Sequence, residues 1–320
     1  MKRIAILIAG LLVYSSSAWS AEYPTKPIRL IVPYAAGTTG ESAFRLLAAA
    51  VEPKLGQPFV IEPRPGAAGN IGAGFVSKSD PDGYTLLLGA TNNFAINQYL
   101  YTNMGFDPTT AFEPVSILVD LPFFVYGSPQ LAAATFDDVI ALAKRQPGKL
   151  NYASSGIGSP MHLGGEMLQQ VAGIALNHVP YRSNAQSTAA LIANDVQLYI
   201  GLIAGARELA QAGKLKILAT AGPTRSSLLP EISSAGEVGF AEFKISNWWA
   251  VAAPRGTPQL IVEALSRMFA SELASPAVKE RLLAIGMVPI GSTPKDFADQ
   301  IKRESSTWSE VIKKANIVLN

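Results

Sequence analysis

The chain has 320 residues, 48% hydrophobic and 16% charged, which suffices for one large domain or two ordinary ones and excludes an intrinsically disordered chain. Its 26 Lys and Arg stand against 24 Asp and Glu, so no strong field points to nucleic acid or a membrane surface as partner. With no cysteine, thiol catalysis, iron–sulfur clusters and zinc–thiolate sites are excluded.

The chain opens with Lys2 and Arg3, an apolar run from Ile4 to Tyr14, and then "SSSAWSA". This is the charged, apolar and small-residue order of a secretory signal peptide. Residues 1–20 are read as that signal, with cleavage after Ser20 and Ala18 three residues before the cut. The apolar run is too short to span a bilayer, which needs about 20 apolar residues. Without Lys2 and Arg3 the charges balance, and the protein is expected to be exported and near neutral.

Strand-like runs follow at Ile28 to Tyr34, Phe59 to Glu62, Thr85 to Gly89, Val115 to Val119, Phe123 to Tyr126, Leu150 to Ala153, Asn177 to Tyr181, Val196 to Leu202, Leu215 to Thr220 and Trp248 to Ala252. Between them "SAFRLLAAAVEPKLG", "DVIALAKRQPG" and "MHLGGEMLQQVAG" show helical spacing of apolar residues. This alternation predicts an α/β protein with parallel sheets. The apolar segment "FEPVSILVDLPFFVYGS" is compatible with two strands of one sheet, or with a strand passing from one domain to another. The last third reads as three helices, each opened by a Thr-Pro or Ser-Pro cap: Thr257-Pro258, Ser275-Pro276 and Thr293-Pro294.

Catalytic and cofactor motifs are scarce. The two histidines, His162 and His178, have no metal-ligand spacing, so no metal is expected. G-x-S-x-G, G-x-G-x-x-G and G-K-[ST] do not occur, and no cofactor is expected. An exported hydrolase or isomerase would have to use Ser159 and His162, three residues apart at a helix start, without a visible acid partner.

Four turns of one kind stand out: "PYAAGTTGES", "GATNNFAIN", "YASSGIGSPMHL" and "PYRSNAQS". Each ends a predicted strand and precedes a helix, on the edge where open α/β sheets bind ligands. Their small residues leave backbone N–H groups accessible, and helix N-termini add partial positive charge. Four such turns aimed at one crevice would bind an anion without catalysis.

The same stretches carry a family resemblance. "YPTKPIRLIVPYAAG", "LGQPFVIEPRPGAAGNIGAGFVSKSDPDGYTLLLG", "FEPVSIL", "RQPGKLNYASSGIGSPMHLGGEMLQQVAGI", "HVPYR", "AGKLKILATAG" and "APRGTP" succeed one another at the spacing of the Bug family. The chain thus resembles the periplasmic solute-binding proteins of tripartite tricarboxylate transporters. The resemblance implies a two-lobed periplasmic binding protein fold of type II-like form, with a ligand cleft between lobes joined by crossing strands. It places residues 22–118 and 222–320 in one lobe and 119–221 in the other. It implies no enzymatic activity, a monomer, a small organic carboxylate as ligand, and membrane transporter subunits (or a sensor receptor) as partners. Carried onto this sequence, the binding loops contain Tyr34, Ala35, Ala36, Gly37, Thr38 and Thr39; Ala90, Thr91 and Asn92; Ser154, Ser155, Gly156 and Ser159; and Tyr181, Arg182 and Ser183.

Departures from the family pattern refine the expectation. Gly37-Thr38 stands where Gly-Gly is usual, Asn93-Phe94 where Thr-His is common, and Gly201-Leu202 where Asp-Asn is common. The last change removes two polar groups near the expected cleft, which favours an aliphatic or aromatic mono- or dicarboxylate with an apolar middle over a hydroxyl-rich acid. Arg182 is expected to pair the distal carboxylate of a diacid.

Overall fold

The computed structural model describes residues 23–202 and 205–319; the expected signal segment 1–20 lies outside them. In chain order the first elements are β1 (Ile28–Val32), α1 (Thr39–Leu55), β2 (Phe59–Pro63), α2 (Asn70–Val76), β3 (Thr85–Ala90), α3 (Asn97–Leu100) and β4 (Phe112–Pro122). Next come β5 (Phe124–Gly127), α4 (Phe136–Arg145), β6 (Asn151–Ser154), α5 (Pro160–Ala172), β7 (Asn177–Pro180), α6 (Asn184–Ala193), β8 (Leu198–Gly201), α7 (Ala206–Gln211) and β9 (Lys216–Thr220). The chain closes with β10 (Ser246–Pro254), α8 (Gln259–Leu273), α9 (Pro276–Ala284), β11 (Val288–Pro289) and α10 (Pro294–Ala315).

These strands form two sheets, ordered β11-β4-β10-β3-β1-β2 and β7-β6-β8-β5-β9. Within each, the strands of successive βα units run parallel: β1 with β2 and β3, and β6 with β7 and β8. The central strand β3 is buried at every position, as its unbroken TLLLGA run requires when helices cover both faces. The expected parallel pairing holds within the βα units, and the crossing strands add antiparallel pairs. β10 runs antiparallel to β3 and β4, and β5 antiparallel to β8 and β9. The chain leaves the first sheet on β4 and returns to it on β10, so these two must oppose each other.

The expected lobe limits shift for the same reason. Val119 to Pro122 still pair with β10 in the first sheet, so the crossing falls at Phe123 rather than after residue 118. On the return, Ala235, Phe243 and Ile245 pack in the core under the second sheet, so that body extends past residue 221. Helix α10 serves both bodies. Phe297 is buried with Phe94 and Trp248 against the first sheet, whereas Trp308, Val311 and Ile312 are buried with the second.

Of the three expected proline-led caps, two form. Ser275 Oγ accepts from Val278 N–H, and Thr293 Oγ1 accepts from Asp296 N–H. Thr257 does not cap α8. Its hydroxyl donates to Pro254 O, and Pro258 keeps an extended ψ of 132°, so the helix starts one residue later.

Candidate functional site

The four sequence-predicted turns all leave the carboxyl ends of parallel strands, two in each sheet. In the first sheet, the turns after β1 and β3 are joined by Asn93. Its Oδ1 accepts from Ala90 N–H at 2.9 Å and from the Tyr34 hydroxyl at 3.0 Å. Asn93, noted in the sequence only as a departure, is therefore the clasp between the two turns. Tyr34 also meets Trp249 of β10 edge-on, with ring centroids 5.4 Å apart. In the second sheet, Tyr181 N–H donates to Ser154 O at 2.8 Å, tying the turn after β7 to the turn after β6.

A cavity of about 180 Å³ lies where turns of both sheets approach. Its lining includes Asn92 from the first sheet and Ser159 from the second, both predicted from sequence. It also includes Ala68, Asn97, Leu100, Tyr101, Ile157, Gly158 and Leu319, which were not predicted. Among the described residues no charged side chain lines it. Leu319 reaches this position because its N–H donates to Leu100 O at 2.7 Å, laying the segment after α10 against α3.

Ala68 belongs to a segment with an unusual backbone. Gly66, Ala67, Ala68 and Gly69 all have positive φ, at 133°, 45°, 50° and 93°. Two consecutive alanines in the left-handed region are strained, and such strain concentrates at functional sites. The segment is held by Asn97, whose Nδ2 donates to Ala68 O at 3.0 Å and to Asn70 Oδ1 at 2.7 Å. Gly69 is obligatory, because a Cβ there would lie 2.4 Å from Asn93 Nδ2. The sequence signal for this segment is the "PGAAGN" motif, with two glycines flanking the alanine pair.

The turn after β1 offers fewer free donors than its sequence promised. Gly37 N–H donates to Glu41 Oε2 at 2.9 Å, and Thr38 Oγ1 accepts from Glu41 N–H as the N-cap of α1. Buried Glu41 is also bonded to Arg45, at 2.9 and 2.6 Å. These bonds, that from Gly37 first, hold its carboxyl below the usual carboxylate range. Ala35, Ala36, Gly37 and Thr39 are exposed, and none of the six residues Tyr34–Thr39 lines the cavity. Nor do Ala90 or Thr91. Thr91 turns inward, its Oγ1 accepting from Trp248 N–H at 3.0 Å.

In the second sheet, Ser154 is fully buried, and Ser155 and Gly156 are half-buried beside the cavity-lining Ile157 and Gly158. Ser183 caps α6, accepting from Gln186 N–H, and is exposed. Tyr181 is partly exposed. Arg182 is exposed; its backbone N–H donates to Gln186 Oε1, and its guanidinium has no acidic partner among the described residues. Leu202, which follows β8 of the second sheet, packs against the core of the first sheet.

The geometry removes the Ser159–His162 dyad. Ser159 Oγ accepts from His162 backbone N–H, while the ring Nδ1 of His162 accepts from Gly158 N–H at 3.1 Å. A serine and a histidine side chain do meet elsewhere, Ser154 Oγ and His178 Nε2 at 2.6 Å, but Ser154 has no exposed surface for a substrate to reach. Among the described residues no group of His, Asp and Glu is placed to hold a metal ion.

A larger groove of about 640 Å³ lies apart from every sequence-predicted site residue, between α5, residues 241–246 and α10. Lys244, Arg303, Glu304 and Glu310 line it. It is not at the carboxyl ends of the parallel strands, where the loops of such sheets converge.

Comparison with known proteins agrees with this architecture. Residues 43–317 match the model of the tripartite tricarboxylate transporter family receptor. BugT of Bordetella pertussis is 33% identical over 298 residues, covering 93% of this chain and 91% of that protein. The solved structure of Rpa4515 from R. palustris with adipate has a TM-score of 0.79 at 33% identity, covering 93% of this chain and all of that one. The structure of MatC (Rpa3494) from Rhodopseudomonas palustris with bound malate has a TM-score of 0.74 at 27% identity, covering 91% of this chain and all of that one. The sheet order, the paired turns and the match over most of its length place the chain in the tripartite tricarboxylate transporter receptor family, among the Bug proteins.

Proposed function

We propose that the protein is a periplasmic solute-binding protein that captures a small organic carboxylate between its lobes and presents it to membrane transporter subunits. The observation that carries this reading is the cavity joining Asn92 of one sheet to Ser159 of the other, at the strand ends of both. Amide and hydroxyl groups at the ends of βα turns suit carboxylate oxygens. Leu100, Ile157 and Leu319 supply apolar walls and no cavity-lining side chain is charged, which favours a ligand with an apolar middle. The relatives solved with adipate and with malate are consistent with a dicarboxylate. Arg182 does not line the cavity; exposed on the turn after β7 and with no acidic partner among the described residues, its guanidinium is the one proposed to meet a distal carboxylate on closure. Capture proceeds by hinge closure about the crossing strands β4 and β10, and the protein acts as a monomer carrying an N-terminal signal peptide.

The test is native mass spectrometry of protein purified without refolding, followed by a thermal-shift screen of carboxylates. A retained small acid, and stabilisation by adipate or another aliphatic diacid above that by citrate, are expected. Stabilisation by citrate alone would overturn the apolar-middle reading, and turnover of a retained acid would overturn the binding reading.

A further inference from the structure

The chain's only two histidines lie on different elements, His162 at the start of α5 and His178 in β7, yet their rings stack with centroids 3.9 Å apart and planes 14° from parallel. Tyr152 of β6 stacks on His178 at 4.9 Å. Neither ring touches the cavity, and no metal or catalytic role accounts for them. One nitrogen of each ring faces the loop 154–159, while His162 Nε2 lies 3.7 Å from Glu166 Oε1. His162 Nδ1 accepts from Gly158 N–H at 3.1 Å. His178 Nε2 bonds Ser154 Oγ at 2.6 Å, and that oxygen in turn accepts from Gly156 N–H at 3.1 Å. Gly156 and Gly158 have φ of 120° and 76°, so this loop is twisted twice and its N–H groups need partners from outside regular structure.

From this geometry we propose that His162 and His178 are positioning residues for ligand capture: a stacked pair that sets the shape of the loop 154–159 through Gly158 N–H and Ser154 Oγ. The proposal rests on the reading of the interlobe cavity as the ligand site. Gly158 and Ser159 line that cavity, so a shift of either glycine moves its wall. The acceptor role of His162 requires Nδ1 to be unprotonated and the ring proton to sit on Nε2. Burial pushes both imidazoles down to about 4, which keeps the acceptor available at neutral pH. An aliphatic side chain at either position would lose the bond and the stack, and a phenyl ring would keep only the stack.

That difference supplies the test. In the full chain, His162→Asn places an amide oxygen near the position of Nδ1, and His178→Gln retains a polar atom near that of Nε2. His162→Phe and His178→Phe keep a ring and remove the bond. Adipate affinity by calorimetry, the thermal midpoint and the amide shifts of Gly156 and Gly158 are read together. The Phe variants are expected to lose about tenfold or more in adipate affinity, and the Asn and Gln variants to stay within about threefold of the unaltered chain. The Gly158 amide should move upfield in His162→Phe and not in His162→Asn. Equal binding by the Phe variants and the unaltered chain would overturn the proposal, as would losses that follow the midpoint alone. If the unaltered chain takes no adipate, that choice of ligand fails, and the amide shifts decide the positioning role by themselves. If the Phe variants do not fold, the imidazole nitrogen spectrum of the unaltered chain decides it. His162 protonated on Nε2 upholds the role, and protonation on Nδ1 refutes it.

Discussion

The turns after β1 and β6 hold the same place in their βα units, each running from a strand end into a Thr- or Ser-capped helix, and they are held in opposite ways. In the first, a buried carboxylate does the holding: Glu41 takes the Gly37 N–H and is balanced by Arg45. In the second, uncharged rings do it: His162 takes the Gly158 N–H, and His178 bonds Ser154. A carboxylate beside an anion site spends donors and adds negative charge, whereas an imidazole acceptor adds none. The second turn supplies Ile157, Gly158 and Ser159 to the cavity, and the first supplies none of Tyr34–Thr39. Similar turn sequences thus contribute unequally to a cleft, according to what already occupies their backbone donors.

Acid should separate the two turns with the largest effect. An imidazole depressed from 6.5 to about 4 contributes stability that is fully present above pH 6.5 and falls away as pH drops towards 4. For His162 this is on the order of 3 kcal/mol. Glu41, whose carboxyl is held below 4.5, contributes stability that is lost only below that value. The thermal midpoint is therefore expected to drop between pH 6.5 and 5, with the loop 154–159 changing its amide shifts before residues 34–39. A midpoint flat down to pH 4.5 would erase the distinction.

Removing the carboxylate probes the other side. Glu41→Ala should cost about 1–3 kcal/mol in chemical denaturation, because it removes the charge-assisted bond that a buried carboxylate makes to Gly37 N–H. Arg45→Ala should cost less than about 1 kcal/mol, since Arg45 is 62% exposed. Equal losses would show that the ion pair, and not the bond to Gly37, holds the turn.

The caps sharpen the comparison further. Thr38→Ala and Ser159→Ala each remove an N-cap acceptor and should each cost about 1 kcal/mol. Only Ser159→Ala should also weaken adipate binding, because Ser159 lines the cavity and Thr38 does not. Smallest of all is Arg182→Ala, expected within about 0.5 kcal/mol of the unaltered chain in stability, as for an exposed unpaired side chain. It should weaken a diacid more than a monoacid; equal weakening would remove Arg182 from the site.

Much of this was legible in the sequence. Runs of apolar residues located ten of the strands and three of the helices between them, and the four small-residue turns, which the family resemblance narrowed to residues that include Asn92 and Ser159, do follow strand ends. The rest depends on distance in the fold. Leu319 and Leu100 meet only because the segment after α10 returns to α3. The positive φ of Ala67 and Ala68 is invisible in residues that ordinarily avoid it. The bond from Gly37 N–H to Glu41 Oε2 depends on the left-handed turn at Gly37, which spacing alone does not show. The crossing point drifted to Phe123 because an apolar run shows that a strand exists and not which sheet it pairs with.

The most direct measurement of the central claim is amide chemical-shift mapping of the protein titrated with adipate. Saturable shifts are expected at Asn92, Gly156, Gly158 and Ser159, together with Leu319, which packs against Gly158. Shifts confined to residues 241–246 and the facing stretch of α10, which line the larger groove, would contradict it.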